Sequence, residues 1–169
     1  INKFDSDELL SLDNKINIIY RNYNKKNNKI EIEKIIHFCK IHKRKIFISN
    51  QLKIALNYDL SGIYIPAFNK NLNYKNINFK KKFKIIGSAH NLQEIKIKEK
   101  QGCEEIFVSP LFKTPKKKNF LNISRFNYLC TLSKKKIIAL GGINTKNLNR
   151  LKSTNSQGFA SITWIKKNR

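Results

Sequence analysis

The chain lacks methionine altogether, holds only three cysteines and one tryptophan, and carries few acidic side chains. Cys39, Cys103 and Cys130 are odd in number and far apart, which suggests neither a disulfide framework nor a zinc knuckle. Their apolar surroundings predict buried, inert thiols. No apolar run approaches the roughly 20 residues of a membrane span, so no membrane partner is expected. The N-terminus shows no charged segment followed by an apolar one, so no secretory signal is expected and a cytoplasmic setting fits. With no Met even at position 1, the chain opens mid-pattern at Ile1. A few residues of a first strand are expected to precede it.

The scarcity of acid has a counterpart. Eleven Asp and Glu stand against 35 Lys and Arg, a formal charge of +24, where small soluble domains usually carry a magnitude of about 2 to 8. Such an excess invites a nucleic-acid reading. Yet Lys, Asn and Ile supply 79 of the 169 residues and Arg only five, a bias that AT-rich coding would produce by itself. The lysines are spread along the chain, in short clusters at 25–26, 80–82, 116–118 and 134–136. No interleaving of aromatic and basic residues accompanies them. Compositional drift therefore outweighs a dedicated polyanion surface, and nucleic acid is expected to bind only non-specifically, at low salt.

What the chain does have is one alternation, repeated. Eleven Phe and 26 Ile can build one sizeable core, so residues 1–169 read as a single domain. Short apolar strands are expected at 1–4 (a remnant), 16–20, 45–48, 62–65, 83–86, 105–108, 136–140 and 158–162. Helical patterns lie between them at 5–12, 30–42, 51–58, 91–100, 124–133 and 145–151, the last starting at Thr145 as N-cap. Residues 21–28 and 109–119 are polar or basic loops, and 67–82 holds little helix. Eight strands at a spacing near twenty residues argue a parallel β/α architecture, which an open sheet and a closed barrel both satisfy.

The strand ends favour the barrel. Ile137–Leu140 runs straight into Gly141-Gly142, and paired glycines there let backbone approach a ligand and point N–H groups at an anion. A second strand, 158–162, ends the same way about twenty residues later. In eight-stranded β/α barrels the loops after strands seven and eight form the usual phosphate site. The expected fold is thus a compact (β/α)8 TIM barrel with shortened helices.

Three stretches then carry a family resemblance. Ile85-Ile-Gly-Ser-Ala-His90, Gly102-Cys-Glu-Glu-Ile-Phe-Val-Ser-Pro-Leu-Phe-Lys-Thr-Pro-Lys-Lys117 and Ile138-Ala-Leu-Gly-Gly-Ile-Asn144 follow one another in order and spacing. Together they resemble thiamine phosphate synthase and its thiazole tautomerase relatives. The weaker stretches Ile18-Ile-Tyr-Arg21, Ile46–Leu56 and Ser61–Ile65 extend the likeness over nearly the whole chain.

The resemblance implies transfer of a pyrimidine methyl group from its diphosphate ester to the nitrogen of a thiazole phosphate, releasing pyrophosphate. It implies Arg21 and Lys117 as the catalytic cations on the diphosphate. Asn50, Ser88 and Thr114 would bind substrate, and Gly141, Gly142, Ile162 and Thr163 would cradle the thiazole phosphate. A bulky residue at Gly142 is expected to fill that ligand space. It also implies Mg²⁺, but both acidic positions that ligate it in the family read Asn here, at Asn50 and Asn69. Amide oxygens bring no charge, and Mg²⁺ prefers carboxylates plus substrate phosphate. No protein side chain is therefore assigned to metal. The tautomerase chemistry lacks its histidine, since that position reads Pro110.

Each candidate has a plainer reading. Lys116, Lys117 and Lys118 could form a solvated loop, Gly141 and Gly142 a tight turn. His90 fits a helix entrance, His37 and His42 a helix surface, and Trp164 end-packing. Three functions stay open: a divergent synthase, a relative that only binds a phosphorylated thiazole-type ligand, and a basic nucleic-acid-binding barrel. A homo-oligomer is left open too.

Overall fold

The computed structural model describes residues 1–23, 29–77, 79–115 and 119–161. The chain forms two compact units. One comprises mainly Ile1–Tyr64 with Phe79–Lys84, the other Ile65–Asn78 with Ile85–Asn168.

The first unit contains helices α1 (Ser6–Leu10), α2 (Lys29–Ile41) and α3 (Leu52–Asn57), and strands β1 (Ile18–Tyr20), β2 (Ile46–Ser49) and β3 (Gly62–Ile65). Asp5 caps α1 from extended backbone, its Oδ1 accepting from the Glu8 N–H at 2.9 Å. In α2 the helical spacing of Ile32, Ile35, Ile36 and Cys39 turns one face inward. That face packs with Leu9, Ile18, Tyr20, Ile46, Ile48, Ala55 and Leu60 into one buried cluster. Arg44 is itself buried and ties the end of α1 down, donating to the carbonyls of Leu9 (3.0 Å) and Asp13 (2.9 Å). A cation there suits the negative end of a helix. The ladders β1–β2 and β2–β3 are parallel, with Ser49 opposite Tyr64. Every residue of β2 and of β3 is buried, as parallel strands covered on both faces require.

The second unit continues the alternation with β4 (Lys84–Ala89), α4 (Leu92–Lys100), β5 (Glu105–Val108), α5 (Asn122–Leu132), β6 (Lys136–Leu140) and β7 (Phe159–Ala160). The ladders β4–β5, β5–β6 and β6–β7 are all parallel. Two 3₁₀ turns, Asn73–Asn76 and Leu148–Ser153, serve as connectors.

Several expectations shift. Residues 1–4 form no strand. Only Ile1 bonds beside β1, donating to the Ile19 carbonyl and accepting from the Arg21 N–H, each at 2.7 Å. Seven strands, not eight, therefore stand among the described residues. Thr145 caps no α-helix. The Asn147 side chain instead accepts from the Asn144 N–H (2.9 Å) and donates to the Gly142 carbonyl (2.8 Å), leaving only the 3₁₀ turn. Such side-chain bonds compete with helix formation. Strand β4 runs on to Ala89 because the small Gly87, Ser88 and Ala89 all pair with β5. Residues 162–169 lie outside the described residues, so the last expected strand is seen only at Phe159–Ala160.

Candidate functional site

In the first unit the carboxyl ends of β1, β2 and β3 bring a group of polar side chains together. Arg21 directly follows β1, and its guanidinium carbon lies 5.9 Å from the centroid of the Tyr64 ring, a cation–π arrangement. Tyr64 is buried, at 3% exposure. Ser49 ends β2 opposite it, also buried, and the Ser49 Oγ is 3.0 Å from the Tyr23 hydroxyl. Asn50 follows in the left-handed conformation that Asn tolerates (φ +59°), its N–H donating to the Tyr64 carbonyl at 3.1 Å. Burial raises the Tyr23 pKa above 10.0, against the lowering effects of the Ser49 hydrogen bond and Arg21. The phenol is therefore neutral near pH 7.

In the second unit the loop after β5 is fastened onto the end of β6. Leu111 donates to the Leu140 carbonyl at 2.9 Å and Phe112 to the Gly141 carbonyl at 3.1 Å. Gly141 and Gly142 have φ of +93° and +73°. A Cβ added at Gly142 would lie 2.5 Å from the Phe112 carbonyl oxygen and 2.6 Å from that of Lys113. The space beside Gly142 is thus filled by the neighbouring loop, not kept for a ligand, which corrects the expectation from sequence. The peptide donors remain: among the described residues the Gly141 and Gly142 N–H groups donate to no partner. The Gly142 carbonyl takes both Asn147 Nδ2 (2.8 Å) and Asn144 Nδ2 (3.2 Å), which fixes the turn. Thr114 is half-buried in the β5 loop, and Ser88 is buried near the end of β4. Lys117, Ile162 and Thr163 lie outside the described residues, as does Trp164.

The loop after β3 is held from behind. Lys98 of α4 is fully buried, and its Nζ donates to the Asn69 carbonyl (2.7 Å) and Gln101 Oε1 (2.8 Å). Gln101 Nε2 donates to the carbonyls of Asn69 (2.9 Å) and Asn71 (2.8 Å). Gly87 makes room for the lysine stem, since a Cβ there would stand 2.8 Å from Lys98 Cδ. Burial lowers the Lys98 pKa to about 8, although Cys103 and Glu94 oppose the shift. Cys39 and Cys103 are buried as expected, whereas Cys130 is only half-buried; burial raises Cys39 and Cys130 to about 11 and Cys103 to about 12. His90 serves the entrance of α4, its N–H donating to Glu94 Oε2 at 2.7 Å. His42 packs on Phe38.

The Mg²⁺ implied by the resemblance finds no fitting donor set. The Asn69 side-chain oxygen accepts from the Asn71 N–H (2.9 Å) and its amide nitrogen donates to the Tyr74 hydroxyl (3.1 Å), a local turn rather than a metal ligand. At the strand ends of the first unit the side chains are a guanidinium, phenols, a hydroxyl and an amide. Among the described residues, no three His, Cys, Asp or Glu side chains gather as a metal site.

Tyr23, Lys98, Gln101 and Asn147 were not marked by the sequence. In a chain so rich in Lys and Asn, one functional copy of either carries no visible signal. Tyr23 had a weak one, standing two residues beyond Arg21.

The family model described as thiamine monophosphate synthase matches residues 9–165. A thiamine-phosphate synthase of Prochlorococcus marinus is 30% identical over 144 residues, 80% of this chain and 40% of the relative. One of Syntrophomonas wolfei is 32% identical over 124 residues, 71% of this chain and 59% of the relative. The chain thus spans roughly two fifths to three fifths of these relatives' length. Among solved structures, a thiamine phosphate pyrophosphorylase from Pyrococcus furiosus matches with a TM-score of 0.68 at 21% identity. That match covers 86% of this chain and 71% of the other, and it shows a shared fold.

Proposed function

The chain belongs to the thiamine monophosphate synthase family, and we propose that it joins a pyrimidine diphosphate to a thiazole phosphate. In that reaction the bond from the pyrimidine methylene carbon to the diphosphate oxygen breaks. A carbon–nitrogen bond to the thiazole forms, and pyrophosphate leaves with the electron pair. The reading takes residues 1–169 as one barrel of the family's eight-stranded type.

The observation that carries it is Arg21. A guanidinium at a strand's carboxyl end, with no carboxylate partner among the described residues, is suited to the charge that develops on a departing diphosphate. Lys117 is the second cation of this reading. The Gly141 and Gly142 N–H groups, with Thr163 and Ile162, take the thiazole phosphate, and Ser88, Thr114 and Asn50 line the substrate. The test is an assay with both substrates that follows thiamine phosphate and pyrophosphate together. Equal amounts of the two products are expected. No product with or without divalent metal overturns the synthase reading.

One observation favours a second reading, a relative that binds the phosphorylated thiazole without turnover. The Asn69 amide is committed to its own turn, so one position of the family's metal set serves the loop instead. Thiazole phosphate binding with no turnover would select it.

A further inference from the structure

All eleven acidic residues of the chain lie between Asp5 and Glu105, while residues 106–169 hold 14 Lys and Arg and no acid. That acid-free stretch carries the loop after β5, the glycine turn after β6 and the 3₁₀ turn Leu148–Ser153. An arginine there has no carboxylate near it in sequence. Among the described residues the Arg150 side chain forms no hydrogen bond or ion pair. Its guanidinium carbon lies instead 5.2 Å from the centroid of the Phe112 ring, within cation–π range.

Phe112 is also the residue packed on the glycine turn. Its N–H donates to the Gly141 carbonyl at 3.1 Å, and its own carbonyl oxygen would stand 2.5 Å from a Cβ at Gly142. The backbone of Arg150 is tied to the same turn by a second route. Its N–H donates to the Asn147 carbonyl (3.0 Å), and Asn147 Nδ2 donates to the Gly142 carbonyl (2.8 Å). One side chain, that of Phe112, thus separates the guanidinium from the glycine turn. Stacked by its face, Arg150 keeps the N–H groups at its edge for an acceptor. Peptide donors bring no net charge, whereas a phosphate monoester carries about −1.5 to −2 at pH 7.

We propose that Arg150 is a phosphate-binding residue, a guanidinium arm set in place by the Phe112 ring. It supplies the charge that the Gly141 and Gly142 N–H groups lack, and so separates a phosphorylated ligand from the same ligand without its phosphate. The stretch that carries the family resemblance here ends at Asn144, before Arg150. The choice of a phosphorylated thiazole as ligand rests on the synthase reading. The arm itself rests on the contacts of Phe112, Asn147 and Arg150.

Calorimetry near physiological salt tests this with three probes: the thiazole phosphate, its unphosphorylated alcohol and inorganic phosphate. Arg150→Ala should weaken the thiazole phosphate about tenfold, the size of one charge-assisted contact, and leave the alcohol unchanged. Arg150→Lys should fall between Arg150→Ala and the parent, because lysine keeps the charge and loses the fork. Arg125→Ala, exposed on α5 in the same acid-free stretch, should change nothing. Circular dichroism checks that each variant is folded; should Arg150→Ala not fold, Arg150→Gln decides.

Parent and Arg150→Ala binding the thiazole phosphate alike overturns the proposal, as does a parent that binds neither phosphate. Equal losses for the thiazole phosphate and its alcohol also overturn it, since they would mark a change of pocket shape. So do equal losses for Arg150→Ala and Arg125→Ala, which would mark the general charge of a basic surface. The two-substrate assay keeps this apart from the synthase reading. There Arg150→Ala should raise KM for the thiazole phosphate and leave KM for the pyrimidine diphosphate. The calorimetric pattern without turnover in the parent sinks only the synthase reading, whereas turnover with both KM values unchanged in Arg150→Ala sinks only the arm.

Discussion

Arg21 is one of five arginines among 35 basic residues, and its place at a strand end marks it out where no single lysine can be. A charge-assisted contact contributes about 1.5 to 3 kcal/mol, or roughly ten- to a hundredfold in rate. Arg21→Ala should therefore lower turnover at least tenfold in the two-substrate assay, with the fold intact by circular dichroism. The two asparagines at the family's acidic positions make a complementary case. An aspartate at 69 could still accept from the Asn71 N–H and would lose only the donation to Tyr74. Asn50→Asp combined with Asn69→Asp should accordingly fold and raise activity in Mg²⁺ over that in chelator. Equal rates in the two buffers would show that carboxylates alone do not rebuild the metal-dependent route.

The clamp of α4 on the loop after β3 has a pH signature. Lys98 titrates near 8 in the folded chain and near 10.5 when exposed. Between those values the unfolded chain holds a proton that the folded one has released, so stability rises with pH from about 8. The three thiols act oppositely. Their folded values near 11 and 12 exceed the ordinary 9.0, so above pH 9 they withdraw stability. The clean window is pH 8 to 9. Urea midpoints there should rise for the parent and stay flat for Lys98→Met. The glycine turn makes a second element-scale test. Gly142→Ala places a methyl against the Phe112 and Lys113 carbonyls at a positive φ, and should cost about 1 to 3 kcal/mol of stability. Ligand-saturated protein should show the same loss relative to saturated parent if the clash lies within the protein.

Most strands were legible from sequence because β2, β3, β5 and β6 are continuous apolar runs, and buried parallel strands have that pattern. Helix entrances were legible where an Asp or Asn side chain caps them, as at Asp5 and Asn91. The segment after Gly142 was not, because Asn147 bonds backward instead of leaving the backbone to a helix. At the site, the glycine turn and Arg21 could be read from their positions at strand ends. What fills the space beside Gly142 could not, since the loop carbonyls that occupy it come from residues 112 and 113, thirty positions away in sequence.

For the molecule as a whole the net charge of +24 governs encounters with polyanions. If six to ten phosphates are contacted, affinity for duplex DNA should fall by roughly 10³ to 10⁵ between 50 and 200 mM salt. It should also be the same for unrelated sequences, which fluorescence anisotropy with two duplexes of different composition would check. A strong preference for one sequence would restore the nucleic-acid reading that composition first suggested.

Lys98 and Gln101 grip the loop after β3 only by its main-chain oxygens, those of Asn69 and Asn71. A grip on carbonyls is blind to the side chains it carries. The side chain at 69 has only to keep an oxygen that accepts from the Asn71 N–H, which Asp and Asn both offer, so loss of an acidic residue at position 69 would leave the path of the loop unharmed. Such a scaffold hides changes in its chemistry from any selection that acts on folding. An ancestor with aspartate at 69 and this chain with asparagine would differ in what they bind while melting alike.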